Sequence, residues 1–169
     1  MLVVGEKNVG KTTLVRRYVD GVFVKDTLAT IGVDFSLKTV QLEKDSEKEF
    51  ILQIWDIAGE SRFKAILPSY ITGTEGAILA FDATDEETLG KLKDWIDILN
   101  KHSTQKKLFF ILVSTKNDLQ NFNKQNMVKQ FREQYPQIKF YLPTSSVSGL
   151  NVEEIFKMAG NIIANTYSL

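Results

Sequence analysis

Two glycines five positions apart, followed by lysine and threonine, stand near the start of the chain in VVGEKNVGKTTL, residues 3–14. Gly5, Gly10, Lys11 and Thr12 match G-x-x-x-x-G-K-[ST], with an apolar run before them and a helical pattern, 13–20, after them. That is the context in which such a loop cradles phosphate. Glycine lets the backbone curl so that successive N–H groups of the loop 5–12 point inward at phosphate oxygens. Lys7, Asn8, Val9 and Thr13 are then candidate contacts beside the four motif residues. The positive end of helix 13–20 adds to the attraction. Lys11 would be a point charge for the β- and γ-phosphates, and the Thr12 hydroxyl a Mg2+ ligand. The bland alternative is a strand-to-helix turn with a surface lysine.

Other candidate residues follow apolar runs. Asp56 ends ILQIWD, where a carboxylate can hold Mg2+ through water. A turn aspartate at a strand end is the alternative. TKND, residues 115–118, closes the run 108–114. Asp118 could accept two parallel hydrogen bonds from guanine, whose N1–H and 2-amino groups both donate. Adenine lacks the 2-amino group and offers an acceptor at N1, so a site built this way discriminates. The Lys116 stem can lie over the base plane. A merely polar loop remains open for TKND alone. His102, the only histidine, has no acidic or cysteine neighbours at ligand spacing and reads as a surface residue at a helix end.

These residues need a frame to hold them. Apolar, β-rich runs occur at 1–4, 32–42, 49–55, 76–82, 108–114 and 138–143. In 32–42, Val33, Phe35, Leu37, Thr39 and Gln41 alternate with Asp34, Ser36, Lys38, Val40 and Leu42. This half-exposed strand joins 49–55 through the polar turn EKDSEK, an antiparallel hairpin. The other runs are nearly all apolar, as in parallel strands buried on both faces. Leu89, Leu92, Ile96 and Leu99 keep helical spacing, with Thr84 or Asp85 as N-cap. Val152, Ile155, Phe156, Ala159, Ile162 and Ile163 form a second stripe, with Asn151 as cap. Met127, Val128, Phe131 and Tyr135 form a weaker one before Pro136. Strand and helix alternate around one hairpin, which gives an α/β fold with a mostly parallel sheet. The first strand is short, as if N-terminal residues had been removed.

Composition narrows the classes. The 169 residues suit one domain, and 43% hydrophobic with 25% charged residues is an ordinary globular balance. Formal net charge is zero and no basic run stands out, so nothing points to nucleic acid. Cysteine is absent, which excludes disulfides and thiolate metal sites.

GEKNVGKT, TIGVDF, WDIAGESRF, TKND and TSS stand in an order and spacing that resemble the Ras superfamily of small GTPases, and within it most of all the Rab family. The likeness runs essentially from end to end. It implies a single P-loop NTPase G domain over 1–169, with six strands, one of them antiparallel, and about five helices. Segments 21–32 and 57–72 would be the two switches, and 115–118 and 144–148 the guanine-specificity loops. Thr30 would ligate Mg2+ through its hydroxyl and γ-phosphate through its N–H, and the Gly59 N–H would also meet γ-phosphate. Phe23 would lie edge-on to guanine. Thr115, Ser145, Ser146 and Val147 would complete the base loops. Lys11, Thr30, Gly59 and Glu60 would act in catalysis. Phe35, Trp55 and Tyr70 match the aromatic triad that receives effectors. A sheet face packed on a helix 62–72 is the plain alternative for that triad.

Departures from the pattern bear on mechanism. Glu60 stands where the family has the water-orienting glutamine, and Lys7 where relatives carry glycine or serine. Thr27 replaces an aromatic over the phosphates, and Val147 replaces lysine. The expectation is therefore a molecular switch that binds Mg-GTP or GDP and hydrolyses GTP slowly, in a Rab-like role. A hydrolysis-poor GTP-binding interaction module is the alternative, supported by Glu60 and Lys7. A P-loop ATPase or small-molecule kinase is disfavoured by TKND. Expected partners are effectors, an exchange factor and an activating protein, around a monomer that binds no nucleic acid. The residues given end ANTYSL without cysteine, so the expectation is either that a lipidated tail has been removed or that the protein works without one. It would be cytoplasmic, and peripheral at membranes if the full-length chain has a lipidated tail.

Overall fold

Two apolar layers, one on each face of a twisted sheet, account for the order of elements. The computed structural model describes residues 1–25, 28–42, 45–104, 108–119 and 124–167. Six strands are present: β1 (Leu2–Val4), β2 (Val33–Leu42), β3 (Asp45–Ile57), β4 (Gly76–Asp82), β5 (Phe109–Thr115) and β6 (Ile138–Pro143). Their spatial order is β2-β3-β1-β4-β5-β6, parallel throughout except for the β2–β3 hairpin.

Every residue of β1, β4 and β5 is buried, and the period of two sends neighbours to opposite layers. Leu2, Val4, Leu79, Phe110 and Leu112 join one core, while Val3, Ile78, Ile111 and Val113 join the other. Helices α1 (Lys11–Asp20) and α6 (Val152–Tyr167) cover the second face, where Tyr18 stacks on Phe156 with ring centroids 4.0 Å apart. Helices α2 (Pro68–Ile71), α3 (Glu87–Gly90), α4 (Leu92–His102) and α5 (Gln125–Gln134) serve the first face, through Ile71, Leu89, Trp95, Leu99, Val128 and Phe131 among others.

The half-exposed pattern of β2 holds: Phe35, Leu37, Thr39 and Gln41 are exposed while Val40 is buried. Other details differ from expectation. The hairpin turn is tighter than EKDSEK, because β3 already begins at Asp45 and pairs with Leu42 after a register shift. The helical stripe 89–99 is divided between α3 and α4. Asp85 serves as its cap, accepting from the Glu87 N–H at 3.1 Å, whereas the Thr84 hydroxyl turns back to Asp82. Asn151 stands at the N-cap position of α6, its carbonyl accepting from the Ile155 N–H at 3.2 Å, but its side chain turns away and donates to the Pro143 carbonyl at 2.7 Å. A continuous helix 62–72 is replaced by a 3₁₀ turn, Ser61–Ala65, followed by α2. Pro68 explains the break, since it lacks an N–H and disfavours helix in the residue before it. Thr27 lies outside the described residues. Among the described residues no helix is long and apolar enough to cross a membrane.

Candidate functional site

The loop between β1 and α1 is shaped by close approach. Gly5 has φ 146°, and a Cβ there would lie 2.1 Å from the Ala80 carbonyl oxygen. Gly10 (φ 93°) and Asn8 (φ 64°) also take left-handed conformations. Val9 is buried and anchors the loop in the core. Lys11, at the first position of α1, folds back inside the loop and donates to the carbonyls of Gly5 and Glu6, both at 2.8 Å. Burial lowers its pKa to about 8, against the opposing pull of Asp56 and Glu6. A desolvated ammonium under a curled backbone is an anion site.

Thr12, Thr30 and Asp56 meet beside it, although 44 residues separate the first from the last. The Thr12 hydroxyl lies 2.6 Å from that of Thr30 and 2.5 Å from Asp56 Oδ2. Asp56 is 2% exposed, and its other oxygen is buried with no hydrogen-bond partner among the described residues. Burial is the main reason that its pKa rises to about 6. An orphaned carboxylate oxygen beside two hydroxyls is a donor set for a hard divalent cation.

Gly59 closes the same cleft from the β3 side. A Cβ on it would fall 2.3 Å from the Glu6 carbonyl carbon and the Lys7 nitrogen, so only glycine fits against the loop. Glu60 follows, with Lys7 Nζ at 3.3 Å and Arg62 Nε at 2.8 Å. The cleft, about 380 Å³, is lined by Lys11, Thr12, Thr13, Thr30, Gly59 and Glu60 among others. A larger groove of about 520 Å³ lies by Met1, Gln53 and Glu75, but none of the phosphate-loop residues line it. Phe23 is exposed and does not line the cleft.

At the other end, Lys116 (φ 55°) passes Gly10 and reaches Asp82 Oδ2 at 2.5 Å. Burial pushes the Asp82 carboxyl up, but Lys116 and Thr84 outweigh it and the net shift is downward. Asp118 is exposed, and its Oδ1 accepts from the buried Ser145 hydroxyl at 2.6 Å. The Thr115 hydroxyl points to the carbonyls of Val9 and Phe81, bracing the phosphate loop. Ser146 is half-buried and Val147 exposed. Beneath them, the Asn117 amide donates to the Thr144 carbonyl at 2.9 Å, and Lys124 donates to Asn117 Oδ1.

Phe35, Trp55 and Tyr70 also come together, with ring centroids 4.4 Å apart for the first pair and 5.3 Å for the second. His102 is exposed at the end of α4. Sequence reasoning missed Glu6, Arg62, Asp82, Asn117 and Lys124. Glu6 accepts from Trp95 Nε1 at 3.0 Å and pairs with Lys64 at 3.3 Å, which ties the loop to α4 and to the 3₁₀ turn. Only Asp82, ending an apolar strand as Asp56 does, carried a local signal.

The Ras family model matches residues 1–165. The chain is 37% identical over 158 residues to "Ras-related protein Rab-8B" of Dictyostelium discoideum, spanning 92% of this chain and 75% of that one. It is 36% identical over 158 residues to "GTP-binding protein YPT1" of Saccharomyces cerevisiae, spanning 92% and 74%. With "Ras-related protein Rab-1D" of Dictyostelium discoideum it shares 36% over 167 residues, spanning 98% and 79%.

Proposed function

The chain belongs to the Ras family and is Rab-like, and from that membership we propose a guanine-nucleotide switch of membrane traffic that binds GTP and GDP and hydrolyses GTP. The observation that carries this is the meeting of Thr12, Thr30 and the orphaned Asp56 carboxylate beside a buried Lys11. Lys11 and the loop N–H groups grip the phosphates. Asp118, held by Ser145, accepts from the guanine edge, and the Lys116 stem covers the base. Thr12 and Thr30 would hold Mg2+ directly, and Asp56 through water. When bound, the ion neutralises charge on the phosphate oxygens. The first switch, 21–32, of which residues 26 and 27 lie outside the described residues, and segment 57–72 would respond when Thr30 and Gly59 engage the third phosphate and release after its loss. Their movement changes the exposure of Phe35, Trp55 and Tyr70, an aromatic anchor for effectors.

Hydrolysis is slow in this reading. Glu60 accepts hydrogen bonds but cannot donate as an amide does, and it adds negative charge beside γ-phosphate. A second reading, a GTP-binding module that hardly hydrolyses, is favoured by the hold of Lys7 and Arg62 on Glu60. Single-turnover hydrolysis with Mg2+ separates the two. Calorimetry tests the common premise: tight, Mg2+-dependent binding of GDP and GTP is expected. A preference for adenosine nucleotides, or no binding, overturns it.

A further inference from the structure

Lys7 and Glu60 both line the cleft that Lys11 and Thr12 line. Lys7 belongs to the loop after β1. Glu60 follows Gly59, whose backbone is pressed onto that loop. Their side chains meet at 3.3 Å, and the other Glu60 oxygen takes Arg62 at 2.8 Å. The Lys7 side chain is 54% exposed, so its ammonium is free to reorient; that of Glu60 is 26% exposed.

We propose that Lys7 exchanges the Glu60 carboxylate for the terminal phosphate of a nucleoside triphosphate, so that the third phosphate is read as loss of the Lys7–Glu60 pair. The inference rests on the guanine-nucleotide reading of the same cleft. Two anions compete there for one ammonium. With a diphosphate, the carboxylate keeps it. With a triphosphate, the new oxygens attract Lys7 and repel Glu60. Arg62 retains Glu60, so the carboxylate moves out together with the start of the 3₁₀ turn. The far side of the turn stays, because Lys64 is held by Glu6 at 3.3 Å and Asp94 at 3.4 Å and lies over the Trp95 ring, 5.0 Å from its centroid. Displacement therefore concentrates in residues 60–63.

The test is a double-mutant cycle on affinity for GDP and for a non-hydrolysable GTP analogue, read by displacement of a fluorescent guanine nucleotide from the full chain. GDP binding by each variant also reports that it has folded. Glu60→Gln removes both the competitor and the repulsion, and should raise the triphosphate-to-diphosphate affinity ratio about threefold to fivefold. Lys7→Met should lower that ratio by a larger factor in the Glu60→Gln background than in the parent, where losing Lys7 also ends the competition. High salt should shrink both effects. The exchange is overturned if Glu60→Gln leaves the ratio unchanged, or if Lys7→Met has the same effect in both backgrounds. If the parent protein binds neither nucleotide, the guanine reading itself falls. Additive effects in a protein that binds both overturn the exchange alone.

Discussion

The two ends of the cleft are built on opposite physical terms. At the phosphate end two charged groups are buried, Lys11 at 6% exposed and Asp56 at 2%, beside the more open Lys7 and Glu60. At the base end Asp118, the carboxylate proposed to discriminate, is exposed and leans on one buried hydroxyl. Buried charges lose their water when the chain folds, so a phosphate and cation bound there as proposed would meet groups already desolvated and aimed. At the base end the buried charges, Asp82 and Lys124, are already engaged by Lys116 and Asn117. In the proposed reading this end selects through the direction of hydrogen bonds, which half-buried Asn117 and the buried Lys124 and Thr144 support. Affinity should therefore reside mainly at one end and selectivity at the other.

Lys11→Met should break the contrast most severely. Loss of a buried, charge-assisted contact of about 3 kcal/mol should lower affinity for GDP and GTP more than a hundredfold, with the guanine-over-adenine ratio nearly unchanged in calorimetry. Asp118→Ala should do the reverse. It should reduce guanine preference by roughly 2 kcal/mol in competition with adenine nucleotides. If it lowered affinity for both bases equally, the division between the two ends would be wrong. Gly59→Ala forces a methyl into the loop backbone and should destabilise the fold by about 1–3 kcal/mol in denaturant melts, since the clash is with main chain rather than a movable side chain. Ser145→Ala is the finest probe. Removing its hydrogen bond to Asp118 should reduce guanine preference by about 1 kcal/mol, measured as in the Asp118 experiment, with a small loss of thermal stability because the Ser148 N–H, which donates to the same hydroxyl at 3.2 Å, loses that acceptor.

Legibility followed the range of each interaction. The loop 5–12 could be read because its glycines, lysine and threonine act through neighbouring backbone. The buried parallel strands could be read because both of their faces are apolar. The hairpin turn and the break before α2 were harder, because pairing extended β3 to Asp45 and one proline outweighed the helical spacing. Side-chain partnerships across the chain were largely out of reach. Trp95 meets Glu6 from 89 positions away, and Lys116 meets Asp82 from 34.

The linear order of residues determined the loop pattern on which the phosphate reading rests, the mostly parallel α/β sheet and the TKND segment on which the guanine proposal rests, because each depends on local spacing or on a repeating apolar pattern. Tertiary structure alone decided that Asp56 would be left with an oxygen unpartnered among the described residues, that Lys11 would lose its water, and that Lys7 would face Glu60. Those outcomes depend on which strand ends lie side by side, and that is set by packing two apolar layers against one sheet.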